Sequence, residues 1–178
     1  LRITPTRGLY SEVSAIGSGW SEGTKHNCGP AGPVHGPWGN NVKSISKTFE
    51  IPAGVYSCRV QWKSWAIHSR DGKPDSLHIN DKEVWSLAAR GGSCVHHKWS
   101  AEGPRNTGCP DWNGRGNCQY DGDVTVPCGE SMKVEFRSQI DQHRGDEAWA
   151  FGSLRITPTR GLYSEVSAIG SGWSEGTK

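Results

Sequence analysis

Residues 76–87 read SLHINDKEVWSL, and this stretch decides the class of fold. Ser76–Ile79 and Glu83–Leu87 are short β-compatible runs, and Asn80-Asp81 lies between them. Asn and Asp tolerate the left-handed backbone that a tight hairpin turn demands, so the stretch predicts two antiparallel strands joined by a short turn.

The same reading extends outward in both directions. Pro52-Ala53-Gly54 and Pro127-Cys128-Gly129-Glu130 are further turns, each feeding a long β-rich run. Strands are expected near 44–51, 55–67, 76–79, 83–87, 119–126, 131–140 and 148–157, while apolar stripes of helical period are missing. The expectation is an all-β, disulfide-bonded antiparallel β-sandwich. Residues 26–43, rich in Gly and Pro, and residues 90–118, which carry three cysteines, are expected to be irregular. Asp121-Gly122-Asp123 reads as a turn.

Residues 1–25, LRITPTRGLYSEVSAIGSGWSEGTK, recur letter for letter as residues 154–178, which defines a period of 153 residues. Such identity marks the repeating unit before any other feature does. It fits a window of a tandem array, a strand exchanged between neighbouring units, or a permuted unit with a redundant end. The chain lacks an initiating Met and a signal peptide, so mature or excised sequence is expected.

The formal net charge is +2, without a basic patch of the kind that meets nucleic acid. No apolar run approaches the roughly 18 residues that cross a bilayer, so no membrane partner is expected. Six cysteines, Cys28, Cys58, Cys94, Cys109, Cys118 and Cys128, close within one period. Their even count points to internal disulfides and a secreted, extracellular setting. Cys58–Cys128 is the pairing expected first; Cys94–Cys109 or Cys109–Cys118 would each close a short loop.

Read in order, SKTFEIPAG, VQWKSWAIHSRDG, SLHINDKEVWS, DVTVPCGESMKVEFRSQIDQ and DEAWAFGSLRI resemble a galactose-binding-like, jelly-roll β-sandwich domain. That domain recurs in large secreted proteins of ciliates and other protists. The resemblance covers most of residues 44–158 and departs from the family's acidic, Trp-containing turn at residues 68–75, HSRDGKPD. It implies that DEAWAFGSLRI is the closing strand. Residues 1–9 then represent the last strand and linker of a preceding repeat, 10–158 a complete domain, and 159–178 the linker and start of the next.

Asp141, Asp146 and Glu147, with Asp75 nearby across the sandwich, are the carboxylates from which a hard cation such as Ca²⁺ is expected to draw ligands. The resemblance adds that sugar-binding jelly rolls often hold a structural ion. Of nine tryptophans, Trp62 and Trp149 are expected in the core. Trp65, on the opposite strand parity, and Trp38, Trp99 and Trp112, in irregular segments, are the candidates for glycan contact. His68, His78, His96 and His97 lack a third ligand at metal spacing and read as surface residues. Ser44-Ile45-Ser46-Lys47 matches S-x-x-K but sits in an expected strand, and no catalytic motif stands in its required context. No Asn-x-Ser/Thr sequon occurs, while the Thr-Pro-Thr linker could carry O-linked sugar.

The chain is therefore expected to be no enzyme but a structural, self-assembling subunit or repeat of an extracellular fibre, and a glycoprotein. Its head-to-tail junction would be built from Leu1, Ile3, Tyr10, Trp20, Leu154, Ile156, Tyr163 and Trp173. The alternative is a lectin-like carbohydrate-binding module acting in adhesion.

Overall fold

The computed structural model describes residues 18–90, 101–104, 107–109, 112 and 117–159. Their strands are β1 (Lys25–Asn27), β2 (Pro33–Trp38), β3 (Ser44–Glu50), β4 (Ser57–His68), β5 (Asp71–Ile79), β6 (Lys82–Arg90), β7 (Ala101–Glu102), β8 (Cys118–Pro127), β9 (Ser131–Ser138) and β10 (Glu147–Thr159). The expected hairpin is β5–β6, with Ile79 opposite Lys82. Asn80 and Asp81 both take left-handed backbone, at φ 48° and 64°.

Two antiparallel sheets face each other, in the orders β1-β2-β10-β4-β8-β7 and β3-β9-β5-β6. From β2 to β10 the chain crosses between the sheets at every connection except the β5–β6 and β7–β8 pairs, and so wraps as a jelly roll, with β1 paired beside β2. Between the sheets lie Trp20, Ile45, Phe49, Val60, Trp62, Leu77, Phe136, Trp149, Phe151, Leu154 and Ile156, all buried. The Phe136 and Phe151 rings stack across the gap at 4.0 Å. Burying each such side chain contributes about 2–3 kcal/mol.

Strand parity reads correctly in β4, because Cys58, Val60 and Trp62 point into the sandwich. Trp65 takes the other face, but it is not exposed. Cys28, Val34, Ile67, Cys109, Trp112, Ala148 and Ala150 join it in a second buried cluster, in which Trp112 meets Trp65 edge-on at 5.5 Å. Cys28 is bonded to Cys109 across 81 residues and pins this cover in place. That pairing excludes both short-loop alternatives for Cys109. Cys58 is bonded to Cys128 across 70 residues, a loop whose closure stabilises the fold by about 4 kcal/mol on chain-entropy grounds. Cys118 is also disulfide-bonded, while Cys94 lies outside the described residues.

Two irregular readings are corrected. Residues 26–43 contain β1, a single 3-10 turn at Gly29–Ala31, and β2, which pairs with the closing strand β10. Pro33, Gly36 and Pro37 weaken the sequence signal of β2 without preventing pairing, because a register shift relieves the ladder. Asp121-Gly122-Asp123 is not a turn but the middle of β8. Gly122 lies under the Trp62 indole, where an added Cβ would stand 2.2 Å from the ring. Among the described residues, no helix is long and apolar enough to cross a membrane.

Candidate functional site

Two loops meet at the end of the sandwich where β10 begins. Residues 39–43 leave β2, and residues 139–146 lead from β9 into β10. Asn40 ties them together, its amide donating to the Gln142 carbonyl at 3.0 Å and its Nδ2 to the Asp141 carbonyl at 2.8 Å. Gly39 permits the approach, since a Cβ there would fall 2.4 Å from the Arg144 nitrogen. Trp149 Nε1 donates to the Val42 carbonyl at 2.9 Å and anchors the first loop on the core.

Beside this junction is a groove of about 640 Å³, lined by Glu22, Thr24, Trp38, Asn41, His143 and Arg144 among others. Trp38 is 3% exposed and packs on Trp149 at 4.8 Å. It presents a margin of its ring rather than a platform, and its indole Nε1 is buried without a hydrogen-bond partner. The Thr24 hydroxyl and amide donate to Glu22 Oε1 at 2.9 and 3.1 Å, which holds that carboxyl below its ordinary value. The groove thus combines an ionised carboxylate, a side-chain amide and a guanidinium. This is a donor and acceptor set suited to a neutral, hydroxyl-rich ligand.

The other side of the 139–146 loop carries carboxylates. Asp71, Asp141 and Glu147 bring ligand oxygens within 4.8 Å of one another. Glu147 is 1% exposed, and its two oxygens accept from the Asp71 and Asp141 amides at 3.2 and 3.3 Å. Lys73 Nζ lies 3.0 Å from Asp141 Oδ2. Their hydrogen bond and mutual attraction lower the Asp141 carboxyl and raise the Lys73 ammonium.

The expected quartet is thereby revised. Asp75 is not with the others, because the Arg70 guanidinium holds it in a buried ion pair. Asp146 is exposed and accepts from Ser69 Oγ at 3.0 Å. Asp71, which sequence reasoning missed, takes the third position; it lies within the HSRDGKPD departure, where its acidity was the only signal.

The remaining expected residues scatter. Trp65 and Trp112 are sealed in the outer cluster and cannot contact a glycan as exposed rings, and Trp99 lies outside the described residues. His78 is buried, not on the surface, with its ring 3.1 Å from Ser76 Oγ. Of the junction residues, Trp20, Leu154 and Ile156 are buried in the core, whereas Leu1, Ile3, Tyr10, Tyr163 and Trp173 lie outside the described residues.

No family model matches the chain, and no curated protein matches it. Similar solved structures include dimeric latent PorU from Porphyromonas gingivalis, at TM-score 0.42 and 10% identity, matching 67% of this chain and 11% of that one. Another is the CBM36-1 domain of a multidomain xylanase from the hindgut metagenome of Trinervitermes trinervoides, at TM-score 0.40 and 10% identity, with 84% and 96% covered. A third is a family GH115 4-O-methyl-alpha-glucuronidase with specificity for decorated arabinogalactans, at TM-score 0.39 and 10% identity, with 85% and 16% covered. The chain thus spans a small part of the first and third of these proteins, and the likenesses are distant.

Proposed function

We propose that this chain is an extracellular carbohydrate-binding module rather than an enzyme, and that the groove at Trp38 receives the sugar. The observation that carries the reading is the hollow itself, where Glu22, Asn41 and Arg144 line one groove beside the edge of Trp38. A sugar hydroxyl would accept from the guanidinium and donate to the Glu22 carboxylate. Disulfides support an oxidising, extracellular setting. Asp71, Asp141 and Glu147 are the residues that would hold a hard cation such as Ca²⁺ next to the groove, in competition with Lys73.

The test is gel retardation in a panel of soluble polysaccharides, followed by calorimetry with oligosaccharides of any that retard. Arg144→Ala and Asn41→Ala are expected to weaken binding by about tenfold each, the loss of one good hydrogen bond, with an unchanged melting temperature. A panel with no retardation, or binding indifferent to both substitutions, overturns the groove reading.

A second reading, a structural repeat of an extracellular fibre, is favoured by a separate observation. The two copies of the duplicated segment contribute different parts to one domain. Trp20 of the first copy and Leu154 and Ile156 of the second share a single core.

A further inference from the structure

We propose that Lys73 is a positioning residue for the groove: its ammonium stands where a bound cation would, and through Asp141 it holds the loop that carries His143 and Arg144. The inference rests on the reading that the groove receives a sugar, and it adds what keeps the groove's walls in place.

A bulge aims the lysine. β5 pairs with β6 at Asp71 and again at Pro74 with a register shift between them, so Gly72 and Lys73 leave the ladder. Gly72 takes φ 96°, a backbone that glycine adopts without strain. Lys73 Nζ is thereby turned toward the 139–146 loop rather than along its own sheet.

That loop is gripped from two sides, and the grips meet at Asp141. Its side chain takes Lys73 at 3.0 Å, its amide donates to Glu147 Oε2 at 3.3 Å, and its carbonyl accepts from Asn40 Nδ2 at 2.8 Å. Glu147 opens β10, which pairs with β4 from Glu147 opposite His68 to Gly152 opposite Lys63, before a register shift with Ser153 at φ 51°. The carboxylate that orders the loop is therefore fixed on a central strand. Residues 69–74 add two ties, the Gln139 amide donating to the Pro74 carbonyl at 3.0 Å and Ser69 Oγ to Asp146 Oδ1 at 3.0 Å. Beyond Asp141, His143 and Arg144 line the groove, and Asn41, next to Asn40, lines it from the other loop. Losing the Lys73 tie loosens both walls.

Asp71, Asp141 and Glu147 crowd three carboxylates together, a setting that a hard cation ordinarily relieves. Lys73 supplies the charge instead. Its hydrogen bond to Asp141 comes first, then attraction to Asp141, Asp71 and Glu147, and together they raise the ammonium above its ordinary value. A cation tethered to the chain stays at the site whatever the calcium concentration. Lys73 and Asp141 are 39% and 54% exposed, and so open a pair adds little to global stability. Its effect is local, which separates positioning from folding.

The experiment reads amide exchange by NMR on the full chain, parent and Lys73→Met, in EDTA and without sugar. The reporters are the Asp141 amide, the Asn40 amide on the Gln142 carbonyl, and the Asp146 and Glu147 amides, which donate to the His143 carbonyl at 2.9 and 3.0 Å. All are expected to exchange several-fold faster in Lys73→Met. The Ile51 amide, which donates to the Glu130 carbonyl at the opposite end of the sandwich, should keep its rate. Lys73→Arg should hold the parent rates, and millimolar calcium should slow Lys73→Met again. Parent-like rates in Lys73→Met, an equal acceleration at Ile51 or in Lys73→Arg, or an acceleration that calcium leaves in place overturns the proposal. Calorimetry with a polysaccharide that retards the parent then links loop to groove. Lys73→Met in EDTA should bind several-fold more weakly at an unchanged melting temperature, and undiminished affinity breaks that link. A parent retarded by no polysaccharide sinks the groove reading alone, because the exchange rates are read without sugar.

Discussion

Arg70 donates to Asp75 across 2.8 Å with both side chains sealed from water, at 1% and 5% exposure. The guanidinium also donates to the Ala148 and Lys73 carbonyls, fastening β10 to the turn before β5. Removing one partner strands a buried charge, so Asp75→Asn or Arg70→Met should cost about 3–5 kcal/mol. Arg70→Met with Asp75→Leu should recover most of that loss. Urea unfolding of the four proteins measures it; two single variants within 1 kcal/mol of the parent, about the scale of a surface pair, would refute the buried-pair account.

Gly122 sits in the middle of β8 with the Trp62 ring against its α-carbon. Gly122→Ala has no room to relax without shifting a core indole, and it should destabilise by at least about 1–3 kcal/mol. Gly129→Ala, where nothing lies within 4 Å of the added carbon, is the control. Equal melting temperatures for the two would contradict the packing.

Lys73 and an added divalent cation would compete for the same carboxylates. Calcium should therefore raise the melting temperature more in Lys73→Met than in the parent chain, and EDTA should reverse the gain. Thermal scans with and without millimolar calcium decide this. Identical scans in both proteins would remove the cation from the account.

Glu135 accepts from Arg137 at 2.8 Å with Lys133 at 3.4 Å, and these cations hold its carboxyl below the ordinary glutamate value of 4.5. The group titrates lower in the folded chain than in the unfolded one. Its stabilisation is therefore complete above pH 4.5 and is lost as pH falls through the depressed folded value. The urea midpoints of the parent and Glu135→Gln should differ by a constant amount near neutrality and converge in acid. A gap that persists at the acid end would assign the difference to packing.

The strand content was legible because the β4, β8, β9 and β10 runs are long and bounded by Pro or Gly turns. Parity also placed Trp62 inward and Trp65 outward. What parity lacks is the third dimension. Trp65 is buried because a disulfide 81 residues long in sequence draws Cys109 and Trp112 over it, and spacing carries no trace of that cover. β2 was hidden by its prolines. The carboxylate cluster was half legible, since Asp141 and Glu147 share a loop with the groove. Asp71 joins them only because β5 starts five residues earlier than its proline and glycine suggest, and Asp75 leaves because Arg70 claims it.

The register break at Ser153 bears on the order in which a growing chain can fold. β4 is synthesised long before the residues that finally cover its first half, and its natural partner arrives last. Residues 1–6, identical to residues 154–159, are synthesised before β4. The sequence of the closing strand is therefore present once before β4 and once after it. Long-range pairing is slow to form, so the first half of β4 waits for residues 155–159 to complete its sheet.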